Sequence, residues 1–148
     1  MPRLILFAPA ERVLINQPDS ATSLINIMSG VKAQLLRPNE TPPSDAIVPI
    51  RWSVLSLWRC EVGDEDKKFE QRLQLFLPDG TTTEFDVVVP FTMKGQTHKV
   101  RTEFIGFLIS TPGVCRLVAS LREEGQQAWT EISTYDLLVE HVQPDAPL

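Results

Sequence analysis

Carboxylates are concentrated in one short segment of this sequence. Four of them surround a single glycine turn: Glu61, Asp64, Glu65 and Asp66. Such a loop could chelate calcium, because this hard cation binds several oxygen ligands at once. Lys67 and Lys68 follow directly and partly neutralise the cluster, and the spacing lacks the EF-hand pattern. A solvated turn that keeps a sheet edge soluble is the favoured interpretation, and no metal ion or cofactor is assigned.

Tryptophans are the second group with possible binding chemistry, because an indole ring covers a large apolar area and keeps a polar edge. Trp52 and Trp58 have the same parity in one apolar-rich segment and therefore share a strand face. Core packing is favoured for this pair over a carbohydrate platform. Trp129 stands beside Gln126 and Gln127 near a hairpin end. We predict that Trp129 is exposed and contacts a partner.

A proline-rich segment at residues 37–45 supplies two further predicted contact residues, Arg37 and Asn39. Proline donates no ladder hydrogen bond, so this segment is predicted to be a long surface loop. Its apolar flanks, Leu35 and Ile47, suggest that the loop either covers an open sheet edge or reaches a partner.

Hydrolysis needs a nucleophile held by a base, and the histidines of the sequence are His98 and His141. We expect both to be ordinary surface residues, since no nucleophile elbow, phosphate loop or paired metal-ligand spacing occurs. A small hydrolase is the weaker alternative. It requires one of these histidines to lie in a pocket near Ser, Cys or Asp.

Cysteine usage and charge exclude other classes of protein. Cys60 and Cys115 lie far apart without the spacing of a zinc site, and both are predicted to be buried free thiols of a cytoplasmic protein. The apolar stretch from Leu4 to Ala10 is too short to insert into a membrane. The formal net charge of -5 argues against nucleic-acid binding.

Short alternating segments separated by turns predict a single all-β domain over residues 1–142, followed by a flexible tail at 143–148. The expected architecture is an antiparallel β-sandwich, immunoglobulin-like or C2-like, with at most one short helix. The clearest hairpin runs from Pro112 to Val142. Ile47 to Cys60 is predicted to be a central strand buried on both faces. Leu4 to Phe7 and Val13 to Ile15 are predicted to be two separate short strands.

Four segments occur in order along the chain: Leu6-Phe7-Ala8 with Val13-Leu14-Ile15, Ser23-Leu24-Ile25-Asn26, Leu77-Pro78-Asp79-Gly80 and Pro112-Gly113-Val114-Cys115. Together they resemble a family of uncharacterised bacterial domains of about this length, a domain of unknown function. Members commonly carry an aromatic residue where Cys115 stands. The resemblance implies a compact β-sandwich and supplies no catalytic residues.

We therefore expect a non-catalytic protein-interaction or structural module in a bacterial cytoplasm, as a homo-oligomer or a subunit of a larger assembly. Strand addition at a sheet edge needs no distinctive side-chain motif, and the loops at 37–45 and 61–68 are expected to contribute to it. The alternative is a ligand-binding sandwich, for calcium and a membrane surface or for a carbohydrate.

Overall fold

The computed structural model describes residues 1–16 and 21–145 and shows an all-β protein built from two packed sheets. In chain order the strands are β1 (Arg3–Ile15), β2 (Thr22–Ile27), β3 (Gly30–Gln34), β4 (Ile47–Arg59), β5 (Lys68–Phe76), β6 (Thr82–Thr92), β7 (Thr97–Leu108), β8 (Gly113–Glu123) and β9 (Thr130–Val142). The four-stranded sheet has the order β2-β1-β4-β7, and the five-stranded sheet has the order β3-β9-β8-β5-β6. The predicted β-sandwich is confirmed, and these residues form no helix.

The core lies between the two sheets, where alternate side chains of β4, β5 and β8 meet. Its buried members include Trp52, Val54, Leu73, Leu75, Cys115, Leu117, Ala119 and Leu137. Burying one large aliphatic side chain contributes about 1.5–3 kcal/mol. The hairpin predicted from Pro112 to Val142 is confirmed, because β8 and β9 pair from Gly113 to Leu121.

β4 is the central strand that the sequence predicted. Residues 52–56 are buried without interruption, so both faces of β4 are covered there. Trp52 and Val54 face the five-stranded sheet. On the outer face, Leu55 packs with Ala10 and Val13 in a small separate cluster.

β1 corrects one prediction, because the two short strands expected at its ends are one continuous strand. Pro9 lies inside it, opposite Val54 of β4. The Pro9 carbonyl accepts a hydrogen bond from Met28 N–H, just past the end of β2. In a strand, the N–H and C=O of one residue point to the same side. The hydrogen bond that Pro9 cannot donate would therefore lie on the side of β2, where that strand has ended. Proline is therefore tolerated inside a central strand, and no turn forms.

β3 is the exception to the antiparallel pairing expected throughout. The chain leaves the four-stranded sheet after β2 and pairs β3 with β9 in parallel, with Gly30 opposite Leu138. An added Cβ at Gly30 would lie 2.0 Å from the Leu138 carbonyl oxygen. Only glycine permits this close approach of the two backbones.

The two ends of the sandwich carry different loops. We call the end where β4 finishes and β7 begins the first end, and there Cys60 N–H donates to the Gln96 carbonyl. At the opposite, second end, the Ile109 N–H donates to the Ala46 carbonyl. The acidic loop at 61–67 lies at the first end and the proline-rich loop at the second, so β7 runs from one loop to the other.

Candidate functional site

The acidic loop is held together by its own hydrogen bonds. Asp64 is only 3% exposed, although it is a carboxylate in a loop. Its Oδ2 accepts a hydrogen bond of 3.1 Å from Glu61 N–H. Its Oδ1 lies 3.4 Å from the Met1 ammonium. A buried carboxylate with these partners closes the turn and joins it to the start of β1.

The other carboxylates of this loop point to separate partners. Glu65 accepts a hydrogen bond from Gly63 N–H at 3.1 Å, and Arg3 lies 3.9 Å from Glu61. Asp66 has a left-handed backbone, with φ of 60°, and its N–H donates to the Met93 carbonyl. Within residues 1–16 and 21–145 no three His, Cys, Asp or Glu side chains converge as metal ligands would.

Cys60 beside this loop is half-exposed, so the prediction that it is buried is wrong, whereas Cys115 is fully buried as predicted. Partial burial and the neighbouring carboxylates, Glu65 foremost, raise the pKa of the Cys60 thiol. Burial alone raises the pKa of Cys115. A raised pKa disfavours the thiolate, the form in which cysteine acts as a nucleophile.

Trp52 and Trp58 belong to the core, at 1% and 0% exposed. Trp52 Nε1–H donates to the Gly106 carbonyl at 2.9 Å, and Trp58 Nε1–H donates to Gln71 Oε1 at 2.8 Å. Their polar edges are thus used inside the sandwich. Neither ring presents a face to a sugar.

Trp129 is half-buried rather than freely exposed, and it lies on the outer face of the five-stranded sheet. The Arg122 guanidinium lies 4.0 Å from the centre of its ring, and the Arg72 guanidinium lies 5.6 Å away. Arg122 is also 3.0 Å from Glu70, and Arg72 donates twice to Asp86 at 2.8 and 2.6 Å. Cation–π contacts therefore fix the ring to the sheet. Only part of the Trp129 ring is therefore accessible to a partner.

Arg37 and Asn39 are exposed, as predicted, in the surface loop that the prolines indicated. Glu40 closes this loop by accepting hydrogen bonds from the Leu36 and Arg37 N–H groups. The Asn39 N–H donates to Gln143 Oε1 at 2.9 Å, so the beginning of the predicted tail is attached to the loop. Residues 146–148 of that tail lie outside the described residues.

The three predicted contact residues do not form one surface. Trp129 lies at the first end, where the Glu124 N–H donates to the Lys68 carbonyl. Arg37 and Asn39 lie at the second end, beside Gln143. A single partner that reaches both groups must extend over the length of the sandwich.

Both histidines are half-buried, which corrects the prediction that they are ordinary surface residues. His98 stacks on Phe91, with ring centres 4.9 Å apart, and burial lowers its pKa. His141 Nε2 lies 2.5 Å from the Ile109 carbonyl oxygen. Neither contact is with the Ser, Cys or Asp that the hydrolase alternative requires.

A cleft that the sequence did not predict divides the four-stranded sheet. β1 and β4 pair from Arg3 opposite Arg59 to Ala10 opposite Ser53, and then separate. Beyond that point residues 11–15 pair only with β2 and residues 47–52 only with β7, as far as the described chain goes. The space between them has a volume of about 820 Å³. We call it the β1–β4 cleft.

The β1–β4 cleft has an apolar floor and a charged rim. The buried or half-buried residues of the floor are Met28, Val31, Ile50, Trp52 and Phe104. The exposed charged residues of the rim are Glu11, Arg12, Arg51, Arg101 and Glu103. Ligand pockets typically have volumes of about 300–1,000 Å³ and combine apolar walls with a few polar groups. One sequence signal was present, since Glu11 and Arg12 interrupt the apolar run where β1 leaves β4.

Comparisons with known proteins identify no relatives. No protein-family model matches this chain, and no curated protein is similar enough to be counted as a relative. The resemblance to an uncharacterised bacterial family therefore stays a prediction. Within the part of the chain that the structure describes, no helix is long and apolar enough to cross a membrane.

Proposed function

We propose that this protein is a non-catalytic interaction module that binds an extended segment of a protein partner by strand addition at β7. The observation that carries the proposal is the pairing of β7, which contacts β4 on one side and, in the described structure, no strand on the other. Unpaired strand backbone is a ready template for another chain.

β7 is the edge strand best suited to this role. It has 12 residues, whereas the edge strands β2 and β3 have six and five. β6 is nearly as long, but Pro90 lies within it and donates no hydrogen bond. Ile105 of β7 is 74% exposed. Its side chain is therefore accessible to a strand added along this edge.

The positions of the acidic loop and the proline-rich loop also favour β7 as the binding edge. The acidic loop and the proline-rich loop lie at opposite ends of β7, so an added strand that follows the whole edge would meet both. Twelve extended residues span about 40 Å. The partner is either a second copy of this chain or another subunit of an assembly in a bacterial cytoplasm.

The test is an affinity capture of the tagged protein from its native lysate, with retained proteins quantified by mass spectrometry and the complex sized by light scattering. Ile105→Lys places a charge on the edge. Val114→Lys is the matched control, because Val114 is an exposed apolar residue of β8 in the other sheet. We expect a stoichiometric partner or homo-oligomer that Ile105→Lys loses and Val114→Lys retains. A lone monomer, or equal retention by both variants, would refute the proposal.

A further inference from the structure

We propose that the β1–β4 cleft is a second binding site, which takes an extended peptide segment that alternates apolar and acidic residues. This inference goes beyond the proposed function, because it concerns a different part of the four-stranded sheet from the free edge of β7. It rests on the backbone that lines the cleft, the side chains of its two faces and the charge of its rim.

The backbone on both sides of the cleft has strand geometry without a partner strand. Residues 11–15 remain in β1 and residues 47–52 remain in β4 after the two strands separate. Each is paired on its far side only, by β2 and β7 respectively. Main-chain groups that face a cleft bind either water or another polar group. An inserted strand would pair with residues 11–15 of β1 and, because Pro49 donates no hydrogen bond, with residues 50–52 of β4.

Arg101 shows that the β1 backbone beside the cleft accepts a hydrogen bond from a group that is not part of the β1–β2 pairing. Its guanidinium Nη1 extends from β7 across β4 and donates to the Val13 carbonyl at 3.3 Å. Val13 is in the part of β1 that no longer pairs with β4. The Val13 carbonyl thus accepts a side-chain donor at a point where β1 has no neighbouring strand on its β4 side. An inserted peptide would replace this long hydrogen bond with a main-chain one.

The two faces of an inserted strand would meet different surroundings. Trp52 pairs with Phe104 across β4 and β7, and both belong to the apolar core between the sheets. The next residue along each strand, Ser53 with Glu103 and Arg51 with Ile105, lies toward the outer face. Side chains alternate along a strand, so every second residue of the peptide would face the apolar floor, where Ile50 and Phe104 are half-buried and open to contact.

The charge of the rim favours acidic residues at the other positions. The rim carries three arginines, Arg12, Arg51 and Arg101, and only two carboxylates, Glu11 and Glu103. The whole chain, in contrast, has a net charge of -5. Glu11 also accepts a hydrogen bond from Asn26 Nδ2 at 2.8 Å. The rim is therefore locally positive on an acidic protein, which attracts carboxylates.

The experiment uses a synthetic eight-residue peptide in which glutamate alternates with valine or leucine, and a counterpart in which lysine replaces glutamate. Binding is measured by fluorescence anisotropy against the full chain. We expect the glutamate peptide to bind about tenfold more tightly, which corresponds to about 1.4 kcal/mol. Arg51→Glu should remove this preference. Arg59→Glu should leave it unchanged, because Arg59 is an exposed arginine of the same strand at the first end.

Amide hydrogen exchange then locates the bound peptide. Insertion should slow exchange by at least about tenfold in the alternate amides of residues 11–15 and 50–52 that face the cleft, because these amides would gain strand partners. Protection confined to residues 99–105 would place the peptide on β7, supporting the proposed function and refuting the cleft as a site. Equal binding of both peptides, or no binding of either, would also refute the cleft site, and neither result decides whether β7 binds a partner.

Discussion

Trp58 and Gln71 form a hydrogen bond across the interior of the sandwich. Trp58 lies on β4 of the four-stranded sheet and Gln71 on β5 of the five-stranded sheet, and their Nε1 and Oε1 atoms are 2.8 Å apart. Gln71 is fully buried, and its Nε2 has no partner among the described atoms. The two sheets are therefore joined by one specific polar contact in an otherwise apolar region.

A double-mutant cycle measures this contact. We expect Trp58→Phe and Gln71→Leu each to lower the free energy of unfolding, and the double variant to lose less than the sum by about 1 kcal/mol. The reason is that either single change leaves one buried polar group without its partner. Urea unfolding of the four proteins gives the coupling. Strict additivity would show that the hydrogen bond contributes nothing.

Trp129 should stabilise the β8–β9 hairpin through its two arginine contacts. Trp129→Ala is expected to lower the free energy of unfolding by about 1–2 kcal/mol, because it removes the cation–π contacts and the apolar area of the ring. Gln126→Ala is the control, since Gln126 is exposed in the same loop. Thermal or urea unfolding checks both variants. If they are equally stable, the ring has no structural role and stays available only as a partner contact.

The ion pair between Arg72 and Asp86 predicts a pH dependence. Hydrogen bonds from Arg72 lower the pKa of Asp86 from its ordinary value of 3.8. A carboxylate whose pKa is lower in the folded state contributes stability above its unfolded pKa and loses it as the pH falls through the folded value. Wild type should therefore exceed Asp86→Asn in stability at neutral pH, and the difference should vanish below the lowered pKa. Urea unfolding across that range is the measurement, and a difference independent of pH would contradict it.

Asp64 should act as a structural residue of the acidic loop rather than as a calcium ligand. Asp64→Ala removes the acceptor of the Glu61 N–H and the contact with Met1, so we expect a loss of about 1–3 kcal/mol in the free energy of unfolding. Asp45→Ala, an exposed carboxylate of the proline-rich loop, is the control. Calorimetric titration with calcium should give no saturable heat. Saturable binding that an Asp64→Ala and Asp66→Ala double variant loses would instead favour the calcium alternative.

Local features of the fold were predictable from the sequence, and features that depend on distant residues were not. The sequence between Pro112 and Val142 indicated the β8–β9 hairpin, because alternation and turns are set by neighbouring residues. The continuity of β1 through Pro9 was missed, since it depends on where β2 ends. The parallel pairing of β3 with β9 left no local signal.

The same limit applies to the candidate sites. Trp52 and Trp58 have the same parity within an apolar segment, and this pattern correctly indicated that both lie in the core. The burial of Asp64 could not be predicted, because its partner Met1 lies before β1, far from Asp64 in the sequence. The β1–β4 cleft was missed because it forms where β1 and β4 separate, and these two strands are far apart in the sequence.

The parallel pairing of Gly30 with Leu138 has a consequence for synthesis of the chain. β3 and β9 come from near opposite ends of the sequence, so β3 leaves the ribosome roughly 5–20 s before its partner strand at ordinary translation rates. During that interval β3 has no β9 backbone to pair with. The five-stranded sheet is thus completed only after β9 has left the ribosome, when β9 pairs with a strand made much earlier.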